Sequence, residues 1–146
     1  MPMNNSDLAY MAGIVDGEGS VNISYRRKKK YGDTQARVGL FVYNSDVRLL
    51  KWIQKRFHGS VHVYAARQPT WKPFGAWHAS DLATMRVLEL VLPFLVIKKD
   101  QAKIAIRFQK TKLPASLGRK NGVSISVAKL RRNLMVKLKK LNKRGT

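Results

Sequence analysis

The sequence predicts an α+β domain. A helix and two strands are followed by a second helix, two more strands and then helices only. Two periodicities and one size consideration point to it. Apolar residues return at every second position around 21–26, 35–42 and 61–66, the repeat of half-buried strands. They return at three- and four-residue intervals over 6–16, 47–57 and the segments after 80, the repeat of helices packed on one side. At 146 residues and 45% hydrophobic content, the chain suits a single domain (1–146) with a real core.

The elements follow in order. Residues 6–16 read as a helix capped by Ser6 or Asp7, with Leu8, Met11, Ala12 and Val15 on its apolar stripe and Gly17 and Gly19 at its end. Val21 and Ile23 alternate with Asn22, Ser24 and Arg26 in a first strand, and RRKKKYGD is a basic turn. A second strand has Ala36, Val38, Leu40 and Val42 on one face and Gln35, Arg37, Gly39 and Phe41 on the other. Asn44, Ser45 and Asp46 open a helix whose buried stripe is Val47, Leu50, Ile53 and Phe57. Gly59 ends it. In a third strand Val61, Val63 and Ala65 face inward and alternate with His62, Tyr64 and Ala66. Residues 67–75 form a Pro- and Trp-containing loop, and a short fourth strand contains Trp77 and Ala79. Ser80 or Asp81 starts a helix through Leu82, Met85, Leu88 and Leu92, interrupted at Pro93, and a further helix covers about 98–110. After the linker KLPASLGRKNG, an extension at about 123–144 places Val127, Leu130, Leu134, Leu138 and Leu141 at helical spacing among lysines and arginines.

Charge narrows the partners. Against 29 Lys and Arg there are 8 Asp and Glu, a formal charge of +21, far beyond what solubility requires. A polyanion is implied, nucleic acid first and an acidic membrane surface second. The chain has no cysteine, which excludes disulfides and thiolate zinc sites. The N-terminal MPMNNSD lacks the features of a signal peptide. The longest apolar run, VLELVLPFLVI, contains Glu89 and Pro93 and is too short to span a bilayer. An intracellular, membrane-free location is expected.

The scarce acids are placed oddly. AYMAGIVDGEGSV carries Asp16 and Glu18 between glycines at a helix end. Carboxylates and an approachable carbonyl suit a hard divalent cation, and the negative end of a helix favours one. Solvated acids in a C-cap turn would look the same in sequence. Ala9, Ala12, Gly13 and Gly17 form a small-residue stripe that permits close approach of another backbone or ordinary core packing. The outward positions of the strands carry Asn22, Ser24, Arg26, Lys28, Gln35, Arg37, His62, Tyr64 and His78. Such groups read base edges, and they also populate plain solvated sheet faces. Lys137, Lys139 and Lys140 on the last helix suit phosphate contacts.

MAGIVDGEG, residues 11–19, resembles the motif of the LAGLIDADG homing endonucleases, with a conservative residue at each changed position. Two further segments agree in order. Asn44 is followed by the basic Arg48, and LPFLVIKKDQA, residues 92–102, resembles the family segment that supplies a lysine, here Lys98. The resemblance covers about residues 6–110 and implies an αββαββα core with a four-stranded antiparallel saddle sheet, to which the C-terminal helices are added.

That resemblance also implies roles. Glu18 would bind the catalytic metal, with the Gly17 carbonyl completing the ligation. Asp16 would hold the helix end and the subunit interface. Asn44, Arg48 and Lys98 would position water and stabilise charge at the scissile phosphate. Ala9, Ala12, Gly13 and Asp16 would form a dimer interface, since one motif per chain calls for a homodimer with two sites. The function implied is an intron-encoded, site-specific double-strand DNA endonuclease. It would act with Mg²⁺, accept Mn²⁺, bind without cutting in Ca²⁺, and leave short 3′ overhangs at a pseudo-palindromic site. An RNA maturase acting on intron RNA, a non-catalytic DNA-binding regulator and a basic ribosome-associated protein are the alternatives. Glu is one methylene longer than the Asp usual at the metal position.

Overall fold

The computed structural model describes residues 3–27, 34–65, 68–70, 72–112 and 125–144. In chain order the elements are α1 (Asn5–Glu18), β1 (Gly19–Arg27), β2 (Thr34–Asn44), α2 (Val47–Phe57), β3 (Ser60–Tyr64), β4 (Phe74–Ser80) and α3 (Leu82–Val91). A 3-10 turn (Leu92–Phe94), α4 (Lys99–Lys110) and a long α5 (Ile125–Arg144) follow. This is the α+β architecture expected from the sequence.

The strands form one antiparallel sheet in the order β1-β2-β4-β3. Its register is set by apolar pairs: Val21 faces Leu40, Ile23 faces Val38, and Val42 faces Trp77. A slip by one residue would turn every one of these side chains to the other face. They are buried together with Met11 and Val15 of α1, Leu50 and Ile53 of α2, Leu88 and Val91 of α3, and Ala105 and Phe108 of α4. Leu134 and Leu138 of α5 join the same core. The helices therefore cover one face of the sheet and leave the alternate residues of each strand on the other. Asn142 of α5 also donates to the Val21 carbonyl at 2.9 Å, tying the last helix to strand β1 at the sheet edge.

Several boundaries move. Asn4, rather than Ser6 or Asp7, caps α1, its Oδ1 accepting from the Asp7 N–H at 2.8 Å. Asp7 instead pairs with Arg56 of α2 at 2.9 Å. Gly17 lies inside the last turn, and the chain leaves the helix at Gly19, whose backbone is extended (φ −80°, ψ 154°). Glycine is required there by proximity, because a Cβ would stand 2.7 Å from the Val15 carbonyl oxygen. Strand β4 begins at Phe74, shortening the expected loop. Asp81 precedes α3 without capping it through its side chain; its Oδ1 accepts from the Val38 N–H and from Lys112.

The third strand is corrected most. Val61 packs partly against the core, but Val63 is 56% exposed and Ala65 lies beyond the strand. Strand β3 is the sheet edge opposite β1, where the helical layer covers little of the inner face. Ala66 lies outside the described residues. Among the described residues no helix is long and apolar enough to cross a membrane.

Candidate metal and nucleic-acid site

Asp16 and Glu18, two residues apart, leave the last turn of α1 about 200° apart around its axis. They meet different partners. The Asp16 carboxylate accepts the backbone N–H groups of Val96 at 2.9 Å, Ile97 at 3.1 Å and Lys98 at 2.9 Å. These residues lead into α4, so the anion also sits at the positive end of that helix. Lys98 is fixed by this clamp, and its ammonium turns back to donate to the Gly19 carbonyl. Burial pushes the Lys98 pKa below the ordinary lysine value, and the Asp16 charge opposes that shift.

Glu18 is the last, exposed residue of α1, and its Oε2 accepts from the Asn44 amide at 2.6 Å. Asn44 closes β2, and its Oδ1 accepts from the Asp46 N–H at 2.7 Å. One side chain thus steadies Glu18 and shapes the entry to α2, whose cap is Asp46. Arg48 behaves differently from the expectation that grouped it with Glu18. It is exposed and forks onto Asp46, Nε at 3.0 Å and Nη2 at 2.7 Å. That pairing holds the Asp46 carboxyl down at about 2, chiefly through the side-chain hydrogen bond, and raises the Arg48 pKa. The structure therefore brings Glu18 and Asn44 together, places Lys98 beside the same helix end at Gly19, and joins Arg48 only to Asp46.

Hard oxygen donors suit a divalent ion, but one chain supplies few of them. Among the described residues no group of three or more His, Cys, Asp or Glu can hold a metal. Glu18 offers a carboxylate, and Gly17 keeps the neighbouring backbone approachable, since a Cβ there would meet nothing within 4 Å. A shell of six or more oxygens would need ligands from outside the chain. The residues fit one part of such a shell.

The outward face of α1 is open. Ala9, Gly13 and Gly17 are exposed, and a Cβ at Gly13 also meets nothing within 4 Å. Ala12 is the exception among the expected interface residues: it is fully buried in the chain's own core with Met11 and Val15, on the inner stripe of the helix. Two residues outside the expected set lie next to this face. Val96 and Ile97 are 83% and 67% exposed while Asp16 holds their backbone against the end of α1. Their signature in the sequence is the apolar run LVI just before Lys98.

The register gathers the outward strand residues on one face. Asn22 faces Gly39, Ser24 faces Arg37, Arg26 faces Gln35, and Phe41 faces His78. His62 and Tyr64 continue it on β3, opposite Ala76 and Phe74. Among the described residues no strand contains an acidic residue. The side chains of Arg26 and Gln35, and all of Lys28, lie outside the described residues. Lys137 and Lys140 sit elsewhere: with Asp100, Lys103, Ile104 and Leu141 they line a cleft of about 420 Å³ between α4 and α5, in the helical layer. Lys139 is exposed on the same helix. Tyr43 and Phe74, half-exposed aromatics of the outward face, are missing from the expected set, although strand alternation puts Tyr43 in line with Arg37.

A small-residue helix ending in a carboxylate, set beside an acid-free antiparallel sheet face, defines the class: a protein with the LAGLIDADG homing-endonuclease fold. The family model described as LAGLIDADG endonuclease matches residues 11–75, which carry one copy of its motif. It is similar to the homing endonuclease I-CvuI, solved in complex with an I-CreI target in 2 mM Mg with the DNA not cleaved. Identity is 26% over 94% of this chain and 95% of that one, with a TM-score of 0.61. I-CvuI was also solved with its own target in 2 mM Ca. The archaeal intron-encoded homing endonuclease I-Vdi141I, complexed with DNA, has a TM-score of 0.74 at 17% identity, covering 94% of this chain and 84% of that one. I-SmaMI bound to cleaved DNA has a TM-score of 0.70 at 15% identity; 96% of this chain covers 47% of it. Comparison with curated protein sequences finds no match.

Proposed function

We propose that the chain is a site-specific double-strand DNA endonuclease of the intron-encoded homing type, active as a homodimer with a divalent metal. The observation that carries this reading is the Glu18 carboxylate, presented at the end of an open small-residue helix face and braced by Asn44 at 2.6 Å. Two copies crossing at Ala9, Gly13 and Gly17 would bring two such carboxylates together, one for each DNA strand. Val96 and Ile97 would extend the contact. The solved complexes of I-CvuI with DNA, in Mg and in Ca, support duplex DNA as the substrate and a hard cation as the cofactor.

When bound, Mg²⁺ supplies positive charge at the scissile phosphate and lowers the pKa of water. Glu18 and the Gly17 carbonyl would hold it, Mn²⁺ would substitute, and Ca²⁺ would support binding without cutting. Lys98, fixed by Asp16, would place a positive charge beside the reacting phosphate. Arg48, paired with Asp46, would act farther out, on the backbone of the DNA. Asn22, Ser24, Arg37, His62, Tyr64 and His78 would face the major groove, and Lys137, Lys139 and Lys140 would contact flanking phosphates. A strand of ten residues spans about 33 Å, about ten base pairs, so two subunits would read about twenty. Cuts on opposite strands would leave short 3′ overhangs.

Incubation of the protein with a randomised duplex library in Mg²⁺, Mn²⁺ or Ca²⁺ tests the reading. Recovered ends should define one pseudo-palindromic site, cut in Mg²⁺ and Mn²⁺ alone. Absence of cutting in every metal, with binding intact, would point to a non-catalytic DNA-binding protein. Affinity should also fall steeply with salt, because phosphate contacts release counterions.

A further inference from the structure

The outward sheet face is chemically divided. Toward the Glu18 end, Tyr43, Phe41, His78 and His62 form a continuous row across β2, β4 and β3. Phe41 stacks on Tyr43 at 6.2 Å and 8°, and on His78 at 5.5 Å and 14°; His78 stacks on His62 at 5.7 Å and 20°. Farther along β1 and β2 come Asn22, Ser24 and Arg37. Between the two halves is a depression of about 510 Å³ over Gly39, bordered by Asn22, Ser24, Arg37, Phe41, His78 and Ser80. Gly39 keeps it open: a Cβ there would come within 2.8 Å of the Phe41 ring, which leans over the space the glycine leaves.

The stacking decides what the row can bind. A platform for unpaired bases needs free ring faces. Here successive rings lie nearly parallel with centroids 5.5–6.2 Å apart, too close for a base to enter between them, so the row meets a ligand as a wall. In the major groove of duplex DNA the one apolar group on a base edge is the thymine C5-methyl, set among hydrogen-bonding groups. A depression with an aromatic wall on one side and an amide and a guanidinium on the other matches that pattern. The acid-free strands and the charge of +21 favour the polyanion that carries it.

We propose that the Gly39 depression seats the methyl group of one thymine per half-site against Phe41 and His78, while Arg37 and Asn22 read the adjoining base edges. The inference rests on the duplex-DNA reading and names a sequence feature of its substrate. Phe41 becomes a specificity-determining residue.

The test uses the full-length protein and duplexes enriched by binding from a randomised library, resynthesised with uracil at each thymine in turn. Uracil lacks only the methyl, so the protein fold is untouched. One thymine in each half-site should lose about fourfold in affinity on replacement, the value of one buried methyl. Phe41→Ala should bind the thymine and uracil forms of that duplex equally, and Phe41→Leu, with circular dichroism unchanged, should retain part of the discrimination. Enriched duplexes in which no thymine-to-uracil change matters overturn this proposal alone, as does full discrimination by Phe41→Ala. Failure to enrich any duplex overturns the duplex-DNA reading and this proposal with it.

Discussion

The Asp16 carboxylate holds the backbone N–H of Lys98 at 2.9 Å, and with it those of Val96 and Ile97. The motif helix therefore sets the position of a lysine more than eighty residues away in sequence. Asp16→Asn keeps the shape but removes the charge and one of the two acceptor oxygens. Cleavage should fall at least about tenfold while duplex affinity changes little, because the geometry lost belongs to the reacting phosphate. Asp16→Ala removes the acceptor of three N–H groups, two of them exposed enough to turn to water, and should lower unfolding stability by about 1–2 kcal/mol in urea titrations. Wild-type cleavage by a folded Asp16→Asn protein would show that Lys98 is positioned by something else.

Glu18 and Asn44 separate binding from chemistry. Glu18→Gln keeps a carbonyl oxygen for the Asn44 amide but loses the negative charge, so cutting should disappear while gel-shift affinity remains. Asn44→Ala leaves the carboxylate in place and frees it to swing. It should give an intermediate loss, with a raised metal requirement seen in Mg²⁺ titrations of the cleavage rate. Unchanged cutting by Glu18→Gln would remove the metal assignment altogether.

Much of this arrangement is legible in the amino-acid sequence. Period-two alternation places the faces of β1 and β2 correctly because both strands are covered by helices on one side, so burial and pattern coincide. The same alternation misplaces Val63, since the helical layer that covers edge strand β1 leaves most of edge strand β3 uncovered. The motif makes Asp16 an anchoring residue, but the 96–98 loop as its object depends on tertiary contact. Ala12 resembles an interface residue because small residues suit both core and contact, and only its full burial decides between them. The family resemblance groups Arg48 with Asn44 and Lys98. Asp46, two residues from Arg48 in sequence, captures it first.

Gly13 offers a test of the dimer that leaves the chain itself intact. Its position on α1 is exposed, and an added side chain meets nothing within 4 Å. Removing a mid-helix glycine should itself help the helix by about 0.5–1 kcal/mol. Gly13→Leu should therefore melt no lower than the wild-type protein at concentrations where both are monomeric, yet sediment as a monomer where the wild type is a dimer. Double-strand cutting should be lost with dimerisation. A dimeric, active Gly13→Leu protein would exclude this helix face as the interface.

Lys98 should leave its mark on pH dependence, in opposite senses for stability and for activity. Its pKa in the folded chain lies below the ordinary 10.5 because burial disfavours the ammonium. Between the lowered value and 10.5 the unfolded chain holds more protons than the folded one, so this group's contribution to stability improves as pH rises through that interval. Cleavage, which needs the charged form beside the phosphate, should decline through the same interval. Lys98→Arg keeps the charge at every pH in that range and should move the alkaline limb of the single-turnover rate upward, even if the overall rate is lower. Coincident alkaline limbs for the two proteins would show that another group limits the reaction there. A parallel fall in thermal stability would instead attribute the loss of rate to unfolding.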